Sequence, residues 1–125
     1  MDAILLPFAL MLMFGGHAVA DYGLQSAYVA EQKVRRSDNP DWFVTLGAHC
    51  LIHGFLVVCV VVLVGIASGV PLRDAAGIAG ALGWAETVVH FAIDHAKGMQ
   101  RFSYRIDQML HYGCKLLWLA ILIKI

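Results

Sequence analysis

The chain has 125 residues, 60% of them hydrophobic and only 14% charged, and nine basic side chains against nine acidic ones give a formal net charge of zero. Ordinary globular proteins carry roughly 25% charged residues, so this much apolar surface belongs in lipid. The length allows one domain spanning residues 1–125, and the balanced charge speaks against nucleic acid or a strongly acidic partner.

From Ala3 to Ala20 no side chain is charged, which meets the roughly 18-residue threshold for a membrane-spanning helix. Ala18-Val19-Ala20 before Asp21 imitates a signal-peptidase site, but no Lys or Arg precedes the apolar run, so we read the segment as a retained helix. It is expected to continue through Asp21 and Gln25 towards Glu31. The polar run from Lys33 to Pro40 breaks it, with Asn39-Pro40 as a strong stop.

A second helix begins at Trp42. No Asp, Glu, Lys or Arg occurs from there to Leu72, and Ser68-Gly69-Val70-Pro71 closes it. The third, from about Leu72 to Lys97, opens with Ala75, Ala76, Gly77, Ala79, Gly80, Ala81 and Gly83. Small residues at that density suit close helix packing within the chain, or a seam between two copies. The same helix then carries Glu86, His90 and Asp94, and a fourth from about Tyr104 to Ile123 carries Asp107, His111 and Lys115. The expected fold is all-α, an integral membrane four-helix bundle.

Lys115 is expected to pair with a carboxylate or to extend towards the interface, and Trp42, Trp84 and Trp118 to anchor or pack. Cys50, Cys59 and Cys114 lie in apolar stretches without CxxC spacing. That is neither a disulfide framework nor a zinc finger. The first connection holds Lys33, Arg35 and Arg36 and the third holds Lys97, Arg101 and Arg105, whereas the second has only Arg73. The first and third loops are therefore expected on the cytoplasmic side.

All histidines except His95 fall into four-residue pairs: His17 with Asp21, His49 with His53, His90 with Asp94, and His111 with Asp107. Residues four apart share a helix face, so each pair offers two adjacent ligands. At about 1.5 Å per residue the pairs lie roughly 15–21, 10–17, 5–11 and 5–11 Å from the cytoplasmic ends of their helices, depths at which they can meet. The order also suggests two pseudo-repeated helical hairpins with matching pairs. Facing helices of soluble four-helix bundles build dinuclear sites in this way.

One membrane histidine alone is more often a packed residue than a ligand. The set differs, because each buried Asp or Glu costs about 2.5–3.5 kcal/mol to insert, and Asp21, Glu86, Asp94 and Asp107 together call for a compensating cation. Imidazole with carboxylate suits a divalent ion, zinc, manganese or iron, and eight ligands favour two ions over one. Gln25, Glu86, Gln108 and His95 are candidates for orienting the rings. Glu86, one turn before His90, is also the first candidate for proton transfer.

These motifs resemble a small bacterial and phage membrane-protein family, domain of unknown function 3307, over nearly the whole chain. The resemblance is carried by His17-x3-Asp21-x3-Gln25 followed by Ala30-Glu31-Gln32-Lys33, by His49 and His53, by His90-Phe91-x-Ile93-Asp94-x2-Lys97, and by Asp107-Gln108-x-Leu110-His111. Ala20 stands where the family is expected to have glycine. The resemblance implies a bacterial inner membrane or a phage origin and no particular activity. A more distant similarity, to membrane-bound metal-dependent hydrolases, is analogy alone.

The leading expectation is a membrane-embedded metal-dependent hydrolase. It would act on a lipid or lipid-phosphate near the cytoplasmic leaflet, with metal held by His17, Asp21, His49, His53, His90, Asp94, Asp107 and His111, the proton passed by Glu86, and Arg101 or Arg105 attracting a phosphate. The alternatives are a divalent-cation or proton transporter or channel component, and a phage membrane effector whose metal is purely structural. Lipid is the expected partner, and a homo-oligomer is compatible with the pattern.

Overall fold

The apolar run ahead of Asp21 forms helix α1, Leu5–Ala18, in the computed structural model, which describes residues 4–36 and 38–124. The expected start at Ala3 lies outside the described residues. The first helix differs from expectation further on. It widens into a π-helical stretch, Val19–Leu24, and breaks at Gln25, whose backbone is extended at φ −80 and ψ 106. Ser26 then caps a separate short helix α2, Ala27–Gln32, its hydroxyl accepting from the Val29 N–H at 3.2 Å. A serine cap of this kind satisfies a helix donor that would otherwise be unpaired. The break therefore comes at Gln25-Ser26, before the polar run.

Three long helices follow: α3, Trp42–Ala67; α4, Leu72–Gly98; and α5, Tyr104–Ile123. The turn between α3 and α4 uses Gly69 at φ +80, a left-handed conformation that glycine adopts without a Cβ clash. Ser103 caps α5, accepting from the Ile106 N–H at 3.4 Å. In the first connection the Asn39 side chain donates to the Gln32 carbonyl at 2.5 Å, tying the loop back to α2.

Among the described residues four helical stretches, of 20, 26, 27 and 20 residues, are long and apolar enough to cross a membrane. They fit an integral membrane protein. α1 packs on α3, α3 on α4, α4 on α5, and α5 on α1, which closes a ring of four. One half of its interior is a dry core that includes Ala9, Met13, Val57, Val61, Ala79 and Leu119. The other half is polar.

The α3–α4 pair is the most extensive contact in the ring, and two glycines make it possible. A Cβ built on Gly54 would lie 2.6 Å from the Gly83 carbonyl oxygen and would also meet the Thr87 hydroxyl, while one on Gly83 would lie 2.9 Å from the Gly54 carbonyl oxygen. Backbones this close cannot admit a methyl group unless the helices separate. Gly54→Ala or Gly83→Ala is expected to destabilise the bundle by about 1–3 kcal/mol, the usual cost of overpacking. Thermal unfolding in detergent measures this. Gly80→Ala, where a Cβ meets nothing within 4 Å, is the control and should unfold as wild type does.

Candidate metal centre

Each long stretch sends polar side chains into one region of the bundle. α1 supplies His17, the π-helical stretch Asp21, α3 His49 and His53, α4 Glu86, His90 and Asp94, and α5 Asp107, His111 and Lys115. The five histidines are only 1–2% exposed, and Glu86 and Lys115 are equally buried. Their rings pack on one another: His53 on His90 at 3.7 Å between centroids, His90 on His111 at 4.0 Å, and His17 on both His53 and His111 at 5.1 Å. The four-residue pairs, far apart in the chain, thus converge.

Two groups among them have the spacing of a metal site. Asp21, His49, His53 and His90 form one, and His90, Asp94 and His111 the other, each with its ligand atoms within 4.8 Å of one another. Asp21 Oδ1 lies 3.1 Å from His53 Nε2 and 3.4 Å from His49 Nε2. Asp94 Oδ1 lies 3.1 Å from His111 Nε2 and 3.7 Å from His90 Nε2. His17 and Asp107 fall outside both groups and border them, His17 Nε2 at 3.5 Å from Asp21 Oδ2 and Asp107 Oδ1 at 3.6 Å from His111 Nε2.

The decisive feature is what these atoms do not do. Among the described residues, Nε2 of His17, His49, His53 and His90, together with Oδ1 of Asp21 and Asp107, is buried without a hydrogen-bond partner, whereas in the second group His111 Nε2 and Asp94 Oδ1 bond each other at 3.1 Å. Leaving such atoms unpaired costs about 1–3 kcal/mol each. Nitrogen and carboxylate oxygen atoms that approach one another without bonding are satisfied together by a cation placed among them, so the residues fit a divalent metal.

Fixed charges agree. Lys115 donates to Glu86, and Lys33, on the short segment after α2, donates to Asp94 Oδ2 at 2.6 Å. Asp21 and Asp107 share only the neutral Gln108 amide, at 3.3 and 3.2 Å. Four carboxylates against two ammonium groups leave the cluster two charges negative with the histidines neutral.

Glu86 lies beneath the cluster. Its carboxylate accepts from Lys115, from Trp118 Nε1 at 2.6 Å and from His90 Nδ1 at 3.2 Å. A proton on Nδ1 leaves the lone pair of His90 on Nε2, the atom that faces both groups. Gln25 donates to the Asp21 carbonyl at 3.4 Å. His95 is elsewhere, stacked on Trp42 at 4.9 Å. Trp118 is a hydrogen-bond donor in the core, and Trp84 lies on the outer surface, 67% exposed.

A cavity of about 230 Å³ reaches the cluster from the end that carries the first and third connections. Asp21, Asp94 and Asp107 form its floor side, and Lys33, Lys97 and Gln108 are also in its wall. Arg101 and Arg105 are exposed and are not among the residues that line it. Tyr22 and Tyr104, whose hydroxyls touch, stand at the same cavity. Sequence reasoning missed the bond from Lys33 to Asp94, which joins residues 61 positions apart and leaves no local signal.

No curated protein and no solved structure matches the chain significantly, so the distant likeness to metal-dependent hydrolases finds no support there. Residues 9–124 match the family described as protein of unknown function DUF3307. With that match covering nearly its whole length, the chain belongs to the DUF3307 family.

Proposed function

We propose that this protein is a membrane-embedded metal-dependent hydrolase acting on a lipid or lipid-phosphate at one face of a bacterial inner membrane. The observation that carries this reading is the set of unpaired histidine Nε2 atoms facing Asp21 and Asp94 beside an open cavity. The basic residues of the first and third connections support a cytoplasmic side for that cavity.

In this reading two ions are held. Asp21, His49 and His53, with His17 beside them, serve one, and His90, Asp94 and His111 serve the other. His90 cannot serve both, because Nδ1 is committed to Glu86. Three protein ligands with a free position is the pattern of a catalytic site. What divalent ions supply there is Lewis acidity, with the pKa of water in contact falling towards about 7 and phosphoryl oxygens neutralised. Glu86 accepts from His90 Nδ1, which holds His90 in its ligating tautomer, and its carboxylate is placed to take up that Nδ1 proton. Asp107 Oδ1, unpaired and on the cavity wall, is a nearer acceptor for a proton from water.

The transporter reading is weaker. The polar groups end at Glu86, Lys115 and Trp118, and beyond them Val57, Val61, Ala79 and Leu119 close the bundle. A conduction path needs polar groups across the membrane. Metal-replete protein in nanodiscs is expected to release product from a phospholipid or lipid-phosphate substrate, and His90→Ala to abolish that release. Full metal retention with no turnover of either substrate class would defeat the hydrolase reading.

A further inference from the structure

We infer that the cavity is a phosphate-binding site, with Lys97 and Lys33 holding the anion against the metal centre. The inference deepens the hydrolase reading and rests on its metal centre. Its basis is charge. The four carboxylates of the cluster and the ammonium groups of Lys33 and Lys115 leave it two negative. Two divalent ions turn that to two positive, in surroundings where an uncompensated charge is costly. Lys97 in the cavity wall adds a third positive charge; a phosphate dianion offsets two of the three, which a neutral ester or amide does not.

The wall of the cavity suits that ligand. Lys97 is half-buried there one turn beyond Asp94, on the same face of α4, with no carboxylate bonded to it among the described residues. Lys33 also lines the cavity, held by Asp94 Oδ2 at 2.6 Å. The Tyr22 and Tyr104 hydroxyls bond each other, which leaves one hydroxyl proton as a further neutral donor. Among the described residues Gln25 Oε1 is a buried acceptor without a donor, suited to the hydroxyl of hydrogen phosphate or to a free hydroxyl of a headgroup. At about 230 Å³ the space is smaller than the roughly 300 Å³ at which pockets for whole drug-sized ligands begin. It admits a headgroup, and an acyl chain would remain outside against the exposed Tyr22, Leu24 and Tyr28.

The test uses the full chain in detergent with the metal it retains, assayed by elemental analysis of the same sample. Equilibrium dialysis then measures two probes, labelled inorganic phosphate and labelled short-chain phosphatidic acid. At least one probe is expected to bind, to be lost when chelator removes the metal, and to bind about tenfold more weakly to Lys97→Met at unchanged metal content, with Lys97→Arg restoring it. Binding of phosphatidic acid alone identifies a lipid headgroup, of phosphate alone a free anion, and of both a site indifferent to the tail; each supports the inference. Metal retained with neither probe bound overturns the inference and leaves the metal centre standing. Absence of metal under metal-replete conditions overturns the metal centre, and absence of probe binding in that sample overturns the inference as well. Probe binding that Lys97→Met leaves unchanged also overturns it, because the anion would then sit elsewhere.

Discussion

Asp94→Ala is expected to lose one of the two metal ions, His53→Ala to lose the other, and the double variant to retain neither. Wild-type protein purified from metal-replete cells should hold about two equivalents of zinc, manganese or iron, one per ligand set. The two sets meet only at His90, so substitution in one leaves three neighbouring donors in the other: Asp21, His49 and His53, or His90, Asp94 and His111. Loss of a ligand should weaken its ion by more than the roughly 10–100-fold that loss of an outer hydrogen-bond partner costs. Metal removal by chelator should also lower the unfolding temperature of wild type and have little effect on the double variant, because the ions stabilise only the folded chain. Equal metal content in all four proteins would sink the assignment. A protonated histidine network would be left to balance Asp21 and Asp107.

The helices and the cluster were legible because both follow from one period. Apolar runs of membrane length mark the spans, and His/Asp pairs four apart must share a face of them. The same geometry explains one miss. His95 follows Asp94 directly, so it points about 100° away around α4, and the structure has it on Trp42. Lys97, three residues beyond Asp94, returns to the face of the site, whereas Arg101 and Arg105 lie past the helix end or on the exposed side of α5. Two features were not legible. A π-helical stretch differs from an α-helix by one residue per turn, which leaves no mark on composition, so only Ser26 hinted that the first helix breaks before Lys33. The bond between Lys33 and Asp94 joins positions 61 residues apart. No local pattern encodes such a pair; it depends on the bend that follows Gln25.

Lys115→Met is expected to be the most damaging single change outside the ligands. Lys115 is 2% exposed and Glu86 1%, and among the described residues the ammonium group is the only fixed cation on that carboxylate, alongside neutral donation from Trp118 and His90. Removing it leaves a buried charge uncompensated, at about 3–5 kcal/mol, whereas removing both charges together is often neutral. The Lys115→Met, Glu86→Gln double variant should therefore recover most of the unfolding temperature lost in Lys115→Met. It should not recover metal binding to the same degree. A glutamine at position 86 offers His90 Nδ1 a weaker acceptor than a carboxylate, so affinity at the His90 ion should stay about 10–100-fold below wild type. Stability and metal affinity then separate: the ion pair serves the first, and the carboxylate that orients His90 serves the second. If the double variant regained wild-type affinity as well as stability, Glu86 would be only the partner of Lys115. Its bond to His90 would then have no part in holding the metal.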